Sequence, residues 1–170
     1  MKVHSNNNTL NFGAPWGLSL RLITTASVTV LLGIMVFGVL NYPGNALILL
    51  VATIILPAVL LLASALFLIR GYELSKDKLF IQRLGWKTEI DLQELQAAEI
   101  DPEAMKKSIR IFGNGGLFCF AGKFRNRKLG SFRVFATDPG LAVVLRFAGK
   151  IIVITPDEPH KFVAQIKRIQ

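Results

Sequence analysis

The chain has 170 residues, 52% of them hydrophobic, with 20 Lys plus Arg against 11 Asp plus Glu, a net charge of +9 and one cysteine. That composition is too apolar for a disordered tail, and one cysteine with two histidines excludes a disulfide framework or a Cys-rich zinc site. Charge divides the chain into three stretches: 1–17; 18–69, whose one charge is Arg21; and 70–170, which holds all 11 acidic residues.

Residues 1–17 read as an N-terminal cytoplasmic lead, Asn-rich and without an apolar period from His4 to Asn11. Two apolar segments follow, Leu18–Leu40 and Ala46–Ile69, separated by a 41–45 loop of Asn, Tyr, Pro and Gly. At ~1.5 Å per residue each reaches roughly 35 Å, enough to cross a hydrocarbon layer of about 30 Å, so 18–69 is expected to be a transmembrane helical hairpin. The first segment is longer than the apolar run of a cleaved signal peptide, and a second span follows at once. Thr29 and Gly33 form one small-xxx-small pair for close helix contact, and Pro57 should kink the second helix. Neither segment contains a carboxylate or histidine on which a proton relay would run. The loop is free of Lys and Arg, whereas Arg70, Lys76, Lys78, Arg83 and Lys87 follow the second segment, so both termini are expected in the cytoplasm of a bacterial inner membrane. Trp16 and Tyr42 sit where interfacial aromatics belong.

From Tyr72 to Thr155 the pattern is one of short apolar or alternating runs broken by Gly, Asp and Asn, and it predicts seven or eight antiparallel strands. These are placed near 72–75, 78–83, 86–91, 95–100, 117–123, 130–136, 141–147 and 150–154. The connection from Asp101 to Gly116 is expected to hold a helical turn. The period then changes: Phe162, Ile166 and Ile169 share one helix face, after a Thr155-x-x-Glu158 capping box in which Asp157 is an alternative cap. A small barrel plugged by a C-terminal helix is the expected architecture of 70–170.

Several runs here resemble a family of bacterial pleckstrin-homology (PH)-like domains, in members of which paired membrane helices precede the domain. They are Ser108 through Phe118, with Gly113-Asn114-Gly115-Gly116 at its heart; Gly122-Lys123-Phe124; Leu129-Gly130-Ser131-Phe132; Ala136-Thr137-Asp138; and Val153 through Asp157 with Phe162. The resemblance covers roughly Tyr72 to Ile169 and implies a mainly-β PH-like barrel with a binding or scaffolding role, and no catalytic residues. Eukaryotic relatives often hold phosphoinositides with a Lys and Arg-x-Arg on the first hairpin. Here that hairpin runs Ser75 to Arg83 without Arg-x-Arg.

Among candidate sites, Lys123, Arg125, Arg127, Lys128 and Arg133 form the densest basic cluster, with no acid between them, and are expected to contact anionic lipid or a partner. Gly113, Asn114, Gly115 and Gly116 read as a structural turn requiring positive φ, because the Lys-Ser/Thr of a phosphate loop is missing; Arg110 beside them either serves that turn or pairs with an acid. Cys119 reads as a small buried hydrophobe and His160 as a surface residue of the last helix. The carboxylates Asp101 and Glu103, or Asp157 and Glu158, read as turn and helix-start residues. No metal or cofactor site is expected. The basic pI of about 10.1 is accounted for by an anionic leaflet, without nucleic acid. The reading is of a non-enzymatic membrane protein whose PH-like domain binds lipid or protein. Its alternatives are an accessory subunit of a membrane complex and, ranked below that, a membrane-associated enzyme. Oligomeric state is left open.

Overall fold

The computed structural model describes residues 9–44 and 46–169. In chain order the elements are β1 (Leu10–Gly13), α1 (Leu18–Asn41), α2 (Leu47–Leu66), β2 (Ile69–Leu74), β3 (Lys78–Arg83), β4 (Lys87–Asp91), β5 (Leu95–Ile100), β6 (Ile109–Gly115), β7 (Phe120–Asn126), β8 (Gly130–Ala136), β9 (Val143–Phe147), β10 (Ile151–Ile154) and α3 (Pro159–Ile169).

The helices α1 and α2 are long and apolar enough to cross a membrane, and most of their apolar side chains are exposed. They touch at Gly38, where any Cβ would collide with the Thr53 side chain, so the crossing depends on glycine there. The expected Thr29/Gly33 contact is not made, since a Cβ on Gly33 would meet open space. Ahead of Pro57, residues Val51–Ile55 form a π-helical turn in which the Leu56 N–H bonds to the Val51 carbonyl five residues back. A turn of this kind absorbs the misfit that proline introduces into an α-helical ladder.

Among the described residues there are ten strands in two sheets, against the seven or eight expected. The first sheet is antiparallel, in the order β1-β2-β3-β4; the second is β5-β9-β10-β8-β7-β6 and is mixed, because β10 lies parallel to β8. The two sheets do not join into a closed barrel. β9 and β10, with the sequences VVLRF and IIVI, are apolar on both faces, and β10 therefore takes a central place between β9 and β8. Alternation in β3 buries Leu79 and Ile81.

Three boundaries differ from expectation. Part of the expected lead is structural: Leu10–Gly13 pairs antiparallel with β2, and Phe12 is buried with its ring 5.0 Å from that of Phe162. Residues 1–8, including His4, lie outside the described residues. A strand of four residues with one apolar side chain inward is too short to show a period against its Asn-rich surroundings. The second apolar segment ends as a helix at Leu66, and Ile69 belongs to β2, buried in the core. Finally, the expected 101–116 connection contains β6, and the strand expected at 117–123 begins at Phe120.

The expected capping box is also absent. α3 starts at Pro159, with the Phe162 N–H bonded to the Glu158 carbonyl, and Thr155 is instead fully buried, accepting from the Thr137 N–H at 2.8 Å. The Tyr72 hydroxyl donates to the Phe135 carbonyl at 2.8 Å and accepts from the Thr155 N–H at 3.2 Å, which ties the two sheets together. Phe162, Val163 and Ile166 of α3 close the core between them.

Candidate functional site: an arginine-lined groove at the helix bases

The hairpin is inserted between β1 and β2, so both of its ends re-enter the domain, and the domain grips each one. On α1, Leu20 is fully buried in the cluster of Phe120, Phe124, Phe132 and Val134. One turn on, the buried Thr24 hydroxyl donates to the Gly116 carbonyl at 2.8 Å and accepts from the Phe118 N–H at 3.1 Å. The loop that Thr24 holds is shaped by Asn114, whose side-chain oxygen accepts from the Gly116 and Leu117 N–H groups while its amide donates to the Leu117 carbonyl. Gly113 and Gly116 both have positive φ, +111° and +127°. Gly113 faces Gly122, itself at +133°, so closely that a Cβ on either would strike the other strand's backbone. Gly113, Asn114 and Gly115 are thus the last residues of β6, paired with β7, and of the four only Gly116 lies in the bend that follows. On α2, the Phe67 carbonyl just past the helix accepts from Arg83 Nη1 and from the Cys119 thiol, each at 3.2 Å.

Beside this junction lies a cleft of about 480 Å³ between the last turns of α2 and the β6–β7–β8 face of the second sheet. Leu60, Ala63 and Phe67 form its apolar wall, and Arg83, Arg110 and Arg133 reach it from three different strands. Among the described residues, none that lines it is acidic. Arg83 is 9% exposed; its guanidinium lies 5.4 Å from the Phe67 and Phe135 ring centres and 5.5 Å from that of Trp86. Arg133 stands 5.4 Å from the same Phe135 ring, so two guanidinium groups share one aromatic side chain. Arg110 Nη1 donates to the Gly113 carbonyl at 3.1 Å. Among the described residues none of the three arginines forms an ion pair, although six other basic side chains do. Burial holds the Arg83 guanidinium below its usual range; Cys119 and Tyr72 pull it back up, and the positive charge of Arg133 lowers it further.

The basic cluster is split. Lys123 and Arg133 are partners across β7 and β8 on the face that leads into the cleft. Arg125, Arg127 and Lys128 gather at the other end of β7 around a second cleft that also contains Glu103, Lys106 and Lys107. From Phe120 to Asn126 is roughly 20 Å at ~3.3 Å per residue, so these three lie far from the helix bases. Lys128 is also bound to Asp101 at 2.5 Å, an acid that local charge counting does not see. Sequence reasoning counted Arg83 only among the charges after the second segment, and left Arg110 either serving the glycine turn or pairing with an acid; it does the first. Neither lies in a dense basic run; only the strand order unites them with Arg133.

The remaining candidates have structural places. Cys119 is fully buried and its thiol is pushed up to about 11 by burial, with Arg83 acting against the rise. Asp101 accepts from the Glu103 N–H, and Glu103 and Glu158 pair with Lys106 and Lys161. His160 is exposed on α3. On the first hairpin, Lys78 is paired with Glu89 at 2.6 Å. Among the described residues no three His, Cys, Asp or Glu side chains are grouped to hold a metal ion.

A family model described as Bacterial PH domain matches residues 70–170. No curated protein and no solved structure matches the chain.

Proposed function

We propose that this chain, which belongs to the bacterial PH domain family, is a non-enzymatic integral membrane protein that presents its PH-like domain as a binding or scaffold surface at the cytoplasmic face. In this reading α1 and α2 cross the bacterial cytoplasmic membrane as a hairpin and both termini are cytoplasmic. The observation that carries it is the double grip on the helix bases, by Thr24 on α1 and by the Phe67 carbonyl on α2. A domain held on both helices cannot tumble on a tether, so it shows the bilayer one fixed face.

Depth supports the same reading. From Thr25 to Asn41, α1 extends roughly 25 Å beyond the gripped loop at ~1.5 Å per residue, which leaves that loop near the headgroups of a hydrocarbon layer of about 30 Å. The aromatic residues exposed at this level, Phe67, Trp86 and Phe112, are of the kind found at membrane–water boundaries. The basic turn at Arg125, Arg127 and Lys128 then faces the cytosol, as a contact for an acidic partner.

One experiment tests the topology. Gly44→Cys, in the loop between the helices, should react with a membrane-impermeant maleimide on intact spheroplasts, while a reporter fused after Gln170 is active only inside. A chain that stays in solution without detergent, or labelling only after lysis, overturns the reading. A second reading, an accessory subunit of a membrane assembly, draws on β6, the outer strand of its sheet, which leaves Ile109 and Ile111 exposed. It requires a partner that purifies with the chain in fixed stoichiometry.

A further inference from the structure

We propose that the cleft at the base of α2 is a binding site for one anionic glycerophospholipid of the inner leaflet, its phosphate held by Arg83, Arg110 and Arg133 and an acyl chain lying along Leu60, Ala63 and Phe67. This rests on the membrane reading above and names the ligand of that surface.

Three features select this occupant. The first is charge: three guanidinium groups converge on a cleft without one acidic lining residue, and none of them is ion-paired among the described residues. Like charges gathered on a partly buried surface repel one another, and an anion removes that cost; a phosphate also accepts several charge-assisted N–H bonds at once. The second is continuity: the wall of Leu60, Ala63 and Phe67 runs directly into the exposed apolar surface of α2, where Leu62, Val59 and Leu56 are open. A ligand that enters from solution gains nothing from that continuity, whereas a lipid keeps its chain in the apolar layer and brings only its headgroup to the arginines. The third is placement. Arg83 and Arg133 are braced on aromatic rings rather than free to swing, so their positions are set before the ligand arrives. A cluster that merely neutralised the surface would be mobile and solvated, as lysines are.

A tryptophan beside the cleft, in contact with two of its lining residues, supplies the assay. Trp86 stands 5.1 Å from Phe67, edge to face, and Trp16→Phe leaves it as the single tryptophan. The full chain carrying that change is reconstituted in phosphatidylcholine vesicles with increasing fractions of phosphatidylglycerol whose acyl chains are brominated, and quenching of Trp86 is followed. The expected result is saturable quenching at a low phosphatidylglycerol fraction, well below what brominated phosphatidylcholine needs. In Arg110→Gln/Arg133→Gln the half-saturating fraction should rise about tenfold. Arg110→Lys/Arg133→Lys should recover much of the preference, and Arg127→Gln/Lys128→Gln, at the far end of β7, should leave it unchanged. Arg83 is not substituted because it also holds the Phe67 carbonyl. Equal quenching by the two lipids, or a curve that the Gln pair does not move, overturns the lipid site while leaving the membrane reading standing. Quenching by neither lipid, even in vesicles made wholly of brominated phosphatidylcholine, overturns both.

Discussion

Thr24→Val is the sharpest perturbation of the helix–domain junction, because it keeps the shape of the side chain and removes only the hydroxyl. That hydroxyl serves two backbone groups 92 and 94 residues away, the Gly116 carbonyl at 2.8 Å and the Phe118 N–H at 3.1 Å. The valine leaves both without that partner at a site where Thr24 is 5% exposed. Each polar group stranded by burial costs about 1–3 kcal/mol, so the pair should cost roughly 2–6 kcal/mol. At about 2–4 °C per kcal/mol for a chain of this size, the Tm in detergent should fall by roughly 4–24 °C. Hydrogen exchange should rise selectively at residues 114–119, since their loop would lose its tie to α1. Thr25→Val is the control: its side chain is exposed and holds no loop. If Thr24→Val melts and exchanges like Thr25→Val, the helix does not grip the domain through this residue, and the fixed orientation argued from it is wrong.

Gly113→Ala and Gly122→Ala should each cost about 3 kcal/mol or more, because positive φ and collision with the facing strand add together. Gly130→Ala, at φ +68° but facing open space, should cost nearer 1 kcal/mol; urea melts of the three variants check the order. The alkaline limb of stability is also specified. The Tyr72 phenol is pushed up to about 12 by burial, against its hydrogen bonds to Thr155, and the Cys119 thiol to about 11. Both folded values lie above the unfolded ones, so the stability they contribute is intact below pH 9 and is lost between 9 and 12 as the unfolded chain ionises first. Melts across this range should show Cys119→Ala flattening the lower part of the loss and Tyr72→Phe the upper. Cys119 should resist maleimide at pH 8 in the folded protein.

How legible all this is from sequence depends on how far apart the cooperating residues lie. The hairpin is plain because hydropathy is a local property, and α1 matches its expected span to within one residue at Asn41. The last helix is equally plain in its period. Its cap is not, since Thr155 fits a local box and is claimed instead by Tyr72 and Thr137 from elsewhere in the fold. β6 hides because it is an edge strand with Ile109, Ile111 and Phe112 exposed, a pattern without alternation. The groove could not be read at all. Arg83, Arg110 and Arg133 are separated by 27 and 23 positions, and charge density along the chain points to the opposite end of β7.

The same logic decides what the smallest folded unit is. The family match begins at Arg70, yet β1 completes the first sheet with four paired residues, and its Phe12 packs on Tyr72 and Phe162 in the core. Gly13 accepts from the Asp157 N–H at 3.0 Å and Gly17 donates to the Thr137 carbonyl at 3.1 Å, so the segment is fastened at both ends. Burial of Phe12 alone contributes about 1.5–3 kcal/mol, and the lost ladder leaves β2 as a bare edge. A fragment of residues 67–170 should therefore be loosely packed, with weak near-UV dichroism and a tendency to aggregate. Residues 9–17 joined by a flexible Gly/Ser linker to 67–170 should restore a cooperative urea transition. Both fragments lack Leu20 and the hairpin, so the difference between them isolates β1. Equal midpoints for the two would mean that the domain is complete without its first strand, and the hairpin would then be an addition to the fold and not an insertion within it.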